Sequence, residues 1–206
     1  MVDAYRPETL FEALEILSEN RCMIMAGGTD LMVQKARGFA LPPKFTASLL
    51  FINHLEELQA ITIEEGEIHI GACTILTDIM NSHLIPGTFK KVVGLMASPP
   101  TRNLATIGGN ICNASPAGDT LPYLYAVNAK VELQSAGNSR ILPINEFITA
   151  PKSTALQTSE LMTNIIVPNI EFDINIYRKL GQRKGMSLTK AAFHGLANII
   201  DGNITD

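Results

Sequence analysis

The sequence predicts an α+β protein, and three observations carry the prediction. Leu10, Ala13, Leu14 and Leu17 recur at helical spacing after Pro7, so residues 8–19 read as an amphipathic helix. The stretch 61-ITIEEGEIHIG-71 alternates apolar and polar residues on both sides of a Glu-Gly turn, which marks a β-hairpin. A second pair of strand-like runs, 130-KVELQS-135 and 140-RIL-142, flanks the turn residues 136-AGNS-139. Such a mixture of helices and hairpins belongs to α+β architectures.

The remaining elements follow in order. The short apolar run 22-CMIMA-26 is strand-like in length and breaks at Gly27-Gly28. Residues 29-TDLMVQKARG-38 look helical, with Thr29 or Asp30 as N-cap and Gly38 as the stop. Helices are predicted over 75–84, carrying Ile75, Ile79 and Met80, and over 88–97, carrying Val92, Val93 and Met96. Pro99-Pro100 end the second, because proline lacks the N–H and disfavours a helical predecessor. The run 161-LMTNIIVP-168 is a strand stopped by Pro168, and a boundary falls near 169–175. Beyond it, 174-INIYRKL-180 resets the pattern and 191-AAFHGLANII-200 runs into the turn Asp201-Gly202-Asn203. That last segment is too short for its own core. With the chain stopping at Asp206, the expectation is a C-terminus that pairs with something else, or a fragment.

Composition narrows the function classes. The chain has 206 residues, 46% hydrophobic and 17% charged, which is globular rather than disordered. Its formal net charge is −4 and no run of like charge occurs, against an electrostatic nucleic-acid surface. Cys22, Cys73 and Cys112 are widely spaced with no CxxC pair, which fits buried free thiols in a reducing compartment. The N-terminus has no secretory pattern, and no apolar run approaches the about 18 residues that span a bilayer. A soluble, cytoplasmic protein is expected.

The candidate chemistry lies in two glycine-rich stretches, 26-AGGTDL-31 and 106-TIGGNICNASPAGD-119. Consecutive backbone N–H groups at such turns form an anion nest, best where glycine adopts positive φ and no Cβ blocks the ligand. One such turn holds a phosphate, and two can hold a pyrophosphate without Lys or Arg. Asp119 could accept hydrogen bonds from sugar or polyol hydroxyls. A lone AGGTDL is more often an ordinary connection; two stretches, the second joined to Asn, Ser and Asp, shift the balance toward a ligand. Neither is a GxGxxG fingerprint nor a GxxxxGK[ST] P-loop, which disfavours a Rossmann dehydrogenase or a kinase. His54, His69, His83 and His194 show no HExxH or HxH spacing, and no GxSxG elbow occurs, so neither a metal site nor a catalytic residue is assigned. Cys112 has no basic neighbour and reads as a packing residue. The segment 178-RKLGQRK-184 is either a solvated turn or a cationic loop facing an anionic ligand.

These residues carry a resemblance across nearly the whole chain. YRPETLFEALEIL, AGGTDL, 50-LFINHLEEL-58, the IGA of 70–72, SPPTRNLATIGGNICNASPAGDTLPYL, 129-AKVEL-133, 160-ELMTNIIVP-168 and 177-YRKLGQRKGMSL-188 resemble the FAD-binding (medium) subunit of molybdenum hydroxylases. These are the xanthine dehydrogenase, carbon monoxide dehydrogenase and aldehyde oxidase relatives. The resemblance implies a two-subdomain FAD-binding fold of the vanillyl-alcohol-oxidase (PCMH) type over 1–170, divided near residue 55. Residues 171–206 would then be only the start of a C-terminal α+β domain. It implies FAD held by Ile24, Met25, Ala26, Gly27, Gly28, Thr29, Asp30 and Leu31 around the pyrophosphate. Thr106, Ile107, Gly108, Gly109 and Asn110 would form a second wall, and Asp119 would bind ribityl or ribose hydroxyls. Met96 would line the flavin, Thr163 the adenine side, and Lys179 the isoalloxazine. The implied work is electron transfer in a hetero-oligomer. A molybdopterin-binding large subunit oxidises the substrate, a [2Fe–2S] small subunit passes electrons to this FAD, and NAD⁺ or another acceptor receives them. The other function class consistent with the short C-terminus is a non-catalytic assembly module that has lost FAD.

Overall fold

The computed structural model describes residues 2–183 and 187–205; Lys184, in the cationic segment noted above, and the terminal Asp206 lie outside them. The chain opens with strand β1 (Ala4–Tyr5) and helix α1 (Leu10–Glu19). Thr9 is extended and its hydroxyl accepts the Glu12 N–H at 3.1 Å, satisfying one of the donors a helix start leaves open. The face that α1 buries is Ala13, Leu14 and Leu17, as the helical spacing predicts. Thr9→Ala is therefore expected to lower stability by about 1 kcal/mol, measured as a shift of the urea midpoint.

Strands β2 (Cys22–Met25) and β3 (Ser48–Phe51) complete a three-stranded parallel sheet in the order β1-β3-β2. Between them, helix α2 is confined to Leu31–Lys35, shorter than the predicted 29–38. It buries no residue, so no packing sustains a longer helix, and Ala36 leaves it in an extended conformation.

The hairpin β4 (Ile61–Glu64) and β5 (Glu67–Gly71) turns at Glu65 and Gly66, with φ of +51° and +81°. Positive φ at both central residues is the requirement of a type I′ turn. Five short helices follow: α3 (Leu76–Asn81), α4 (Gly87–Gly94), α5 (Pro99–Arg102), α6 (Ile107–Cys112) and α7 (Leu121–Ala126). Two of them correct the sequence reading. α4 ends before the proline pair, and Pro99-Pro100 open α5 instead of closing its predecessor. Ser98 caps α5 through the Thr101 N–H, and proline costs nothing at the first helical positions, where the N–H has no partner in the helix. The glycine pair Gly108-Gly109 lies inside α6 and is not a loop.

A second hairpin, β6 (Lys130–Ser135) and β7 (Asn138–Pro143), is followed by helix α8 (Ile144–Phe147) and the small ladder β8 (Ile148–Ala150) and β9 (Ser153–Thr154). Strand β10 (Leu161–Pro168) then inserts between the two hairpins, giving a five-stranded antiparallel sheet ordered β4-β5-β10-β6-β7. Its central place explains its nearly continuous apolar run, since both faces are covered. The main core, with Phe89, Ile107, Leu124, Val131, Phe147 and Ile165, lies between this sheet and the helices. A smaller core around Leu14, Leu50, Leu55 and Leu58 lies under α1 and extends to Leu161 of the larger sheet.

At the start of β10, Arg140 clamps Glu160 with Nε–Oε1 at 2.7 Å and Nη2–Oε2 at 2.9 Å. The Arg140 hydrogen bond holds the Glu160 carboxyl below its ordinary value, against the opposing effect of burial. A carboxylate with a depressed folded-state pKa adds stability that is complete above the unfolded value, about 4.3. That contribution is lost as pH falls through the lower folded-state value. The urea midpoint of the wild type should fall across that acid window, and Glu160→Gln should flatten this part of the slope.

Strands β11 (Ile174–Gly181), β12 (Thr189–Ile200) and β13 (Asn203–Thr205) form a third, antiparallel sheet. Tyr177 belongs to the main core, and Ala192 and Leu196 pack against it. The His194 ring sits 5.2 Å from Tyr123 and 5.8 Å from Tyr177, and burial pushes its pKa down. Among the described residues no helix is long and apolar enough to cross a membrane.

Candidate functional site

Both glycine stretches meet in one cleft of about 340 Å³. Along one side lie Ile24, Ala26, Gly27, Gly28, Thr29, Asp30 and Leu31, the segment joining β2 to α2. Thr106, Gly108, Gly109 and Asn110, at the start of α6, face them. The back is apolar, built from Ile52, Ala72, Cys73, Leu161 and Met162.

Glycine is needed in the two walls for different reasons. Gly28 has φ +67°, the left-handed region that turns the chain out of β2. Gly27 has a packing reason: a Cβ there would lie 2.0 Å from the Leu104 carbonyl oxygen. Gly108 likewise lets α6 press on β5's end, where a Cβ would meet the Ala72 Cβ at 2.6 Å.

The two walls also differ in hydrogen bonding, and this corrects the expectation of two equivalent nests. Among the described residues, no backbone acceptor takes the N–H groups of Gly27 to Leu31. In α6 the N–H groups are used inside the protein. Ile107 donates to Thr74 O at 3.1 Å, Gly108 to Ala72 O at 2.9 Å, Gly109 to Thr106 Oγ1 at 3.2 Å and Asn110 to Thr106 O at 3.0 Å. The first wall therefore offers donors and the second offers contour. Among the described residues, no Lys or Arg lines the cleft. An anion there would be held by backbone dipoles in a partly apolar setting, where such bonds are stronger than in water.

The other predicted residues lie elsewhere. Met25 and Ile107 are buried beneath the two walls. Met96 is buried in the main core, and its carbonyl accepts Arg102 Nη1 at 2.6 Å. Thr163 is buried in β10 and donates to Glu132 Oε2 at 3.0 Å. Burial would raise the Glu132 pKa, but bonds from Asn164, Gln134 and Thr163 outweigh it and bring it below the ordinary value. Asp119 and Lys179 are brought together: Lys179 Nζ stands 2.7 Å from Asp119 Oδ2. The same carboxylate accepts Tyr177 OH at 3.2 Å and the Thr189 hydroxyl. The loop just before Asp119 lines a second hollow, of about 480 Å³, with Ile148 to Pro151 and Thr189 to Ala192. One sequence motif thus serves two cavities.

Sequence reasoning missed the apolar back wall, and also Gln34 and Asn113. Gln34 bonds Asp30 and reaches Asn113 Oδ1 at 3.4 Å, closing one end of the cleft. Burial pushes the thiols of Cys73 and Cys112 up to about 12, so both stay protonated and act as packing groups.

The cleft lies between a small parallel sheet and a larger antiparallel one; one wall carries backbone N–H groups that no acceptor takes and, among the described residues, no Lys or Arg lines it, an arrangement suited to the class of proteins that bind an extended phosphate-bearing ligand. Residues 1–170 match the family described as FAD binding domain in molybdopterin dehydrogenase, and the chain belongs to that family. It is 31% identical to the nicotinate dehydrogenase FAD-subunit of Eubacterium barkeri, over 90% of this chain and 64% of that protein. It is 35% identical to the glyceraldehyde dehydrogenase medium chain of Sulfolobus acidocaldarius, over 87% of this chain and 64% of that one. The chain thus spans just under two thirds of the length of these two curated relatives. Among solved structures, the fold superposes on a chain of carbon monoxide dehydrogenase from Hydrogenophaga pseudoflava with a TM-score of 0.89. Identity is 26%, over 100% of this chain and 72% of that one.

Proposed function

We propose that the chain is the FAD-carrying part of the medium subunit of a cytoplasmic molybdenum hydroxylase. The observation that carries this reading is the row of unpaired N–H groups from Gly27 to Leu31 beside the cleft, opposite Thr106 to Asn110. The residues present fit FAD. The donors suit its pyrophosphate, the Thr29 hydroxyl adds a further donor, and the apolar back wall keeps water from competing. Asp119, Met96, Thr163 and Lys179 are the outlying cofactor-binding residues in this reading. In this reading residues 1–170 are the FAD-binding unit, in two parts, and 171–206 are a separate C-terminal portion.

When bound, FAD supplies one- and two-electron redox chemistry, and the chain's own part is to bind, orient and shield it. Electrons would come from the [2Fe–2S] clusters of a small subunit and leave to NAD⁺ or another acceptor. Substrate oxidation would belong to a molybdopterin-binding large subunit.

The test is titration of the folded chain with FAD and, separately, with ADP. A flavin absorbance spectrum that stays with the protein at one FAD per chain, with FAD held more tightly than ADP, is the expected result. A folded sample that holds ADP as tightly as FAD would make it a nucleotide sensor, and one that takes neither would sink the cofactor assignment.

A further inference from the structure

A polar bridge crosses one end of the cleft beside Asp30. From α2, Gln34 Nε2 donates to Asp30 Oδ2 and, at 3.4 Å, to Asn113 Oδ1. Asn113 follows α6 on the opposite wall, and both amide side chains line the cleft. The same Asn113 Oδ1 accepts Lys152 Nζ at 2.8 Å. An ammonium thus stands one hydrogen bond from the lining of a cleft in which, among the described residues, no Lys or Arg takes part. Among those residues Lys152 forms no salt bridge, and a neutral amide oxygen is the partner of its charge.

The backbone of Lys152 is unusual for a lysine. It lies in the turn between β8 and β9 with φ +61°, the left-handed region that a Cβ disfavours and glycine enters freely. Its N–H donates to Ala114 O at 2.8 Å, so backbone and side chain both fasten this turn to the end of α6. The side chain is exposed, and an exposed bond to a neutral amide, exchanged for one to water, does little to offset that conformation. A glycine would close the turn with less strain but would leave this end of the cleft without a cation. Strain of this kind persists where it holds a side chain for use.

We propose that Lys152 is a binding residue for the anionic part of the ligand: its ammonium turns from Asn113 Oδ1 to a phosphate oxygen of the dinucleotide in the cleft. This rests on the reading of the cleft given above, and adds to it the cation that the lining lacks. Gln34 keeps Asn113 Oδ1 supplied with a donor, so the move strands no acceptor. The ammonium gains in exchange a charged acceptor, and such a bond is roughly twice as strong as a neutral one.

The experiment titrates the folded chain and its variants with FAD and, separately, with ADP by calorimetry, at low and at physiological salt. Lys152→Met should bind both about tenfold more weakly, with a shallower dependence on salt because one charged contact is gone. Lys152→Arg should keep most of the affinity. Lys152→Gly separates binding from folding: it should lose affinity as Lys152→Met does, with a urea midpoint equal to or above that of the wild type, since the left-handed turn suits glycine. Lys91→Met, on α4 and outside the cleft lining, changes the net charge equally and should bind like wild type. Lys152→Met or Lys152→Gly protein that holds both ligands as tightly as wild type would overturn the proposal. So would an equal loss in Lys91→Met, which would make the effect one of net charge, or a Lys152→Gly midpoint that falls with the affinity, which would make the residue structural. ADP carries the phosphates without the flavin. A chain that binds ADP and not FAD therefore loses the cofactor reading while the Lys152 comparison still decides on ADP, and one that binds neither overturns both.

Discussion

Gly27→Ala is expected to cost about 2–3 kcal/mol of stability and to abolish flavin retention, read as the urea midpoint and the visible absorbance of purified protein. The new Cβ would stand 2.0 Å from Leu104 O, 2.8 Å from Leu104 C and 3.0 Å from Ala105 Cα, all backbone atoms. Neither side can yield easily. Leu104 and Ala105 donate to Thr101 O at 3.1 and 2.8 Å, and Ala105 O accepts the Leu76 N–H at 2.9 Å. If the other side moves, the unpaired N–H groups of Gly27 to Leu31 move with it, and the anion site loses its shape. Gly28→Ala separates the two reasons for glycine. There the nearest atom is the flexible Met25 side chain at 3.0 Å, so the cost is mainly the left-handed φ, about 1–2 kcal/mol. Gly66→Ala, with positive φ and nothing within 4 Å, should cost stability without touching flavin. A Gly27→Ala protein with wild-type midpoint and full flavin content would refute the account of the cleft.

What the sequence revealed followed from how local the cause was. Helix α1, the hairpins β4–β5 and β6–β7, and strand β10 rest on periodicity and turn residues within a dozen positions, and each stands where the pattern put it. Pro99-Pro100 misled because proline after a helix and proline opening the next one leave the same local signature; only the Ser98 cap decides between them. Gly108-Gly109 read as a loop because glycine is a poor helix former, whereas Gly108 answers a tertiary demand, the close approach to Ala72. In the same way, the two motifs lie on facing sides of one cleft. Which wall keeps its N–H groups unpaired depends on Thr74 and Ala72, more than thirty residues before their donors in sequence, at a distance no periodicity reports. The back wall draws Ile52, Cys73 and Leu161 from three separate stretches, each indistinguishable locally from ordinary core.

The largest effect is expected at Asp119. Asp119→Ala should cost about 3–5 kcal/mol, because the Asp119 side chain is only 11% exposed and its partner ammonium on Lys179, on a side chain 12% exposed, would lose its counter-charge. Tyr177 OH and the Thr189 hydroxyl lose their acceptor in the same step. Burial and the Asp119 charge together raise the Tyr177 pKa, so the phenol remains protonated and continues to need an acceptor. Lys179 and Tyr177 lie on β11 and Thr189 on β12, while Asp119 stands just before α7, so this one side chain ties the third sheet to the helical layer. Amide hydrogen exchange should accordingly accelerate in β11 and β12 of the variant before it does in β10. Asp119→Asn keeps an oxygen for the hydroxyls but leaves the ammonium unpaired, and should fall between the wild type and Asp119→Ala. Adding Lys179→Met to Asp119→Ala removes the stranded charge and should recover part of the loss, a coupling that independent sites would not show. If the double variant is as unstable as the sum of the single ones, the ion pair is not what docks the sheet, and the hydroxyl bonds must be.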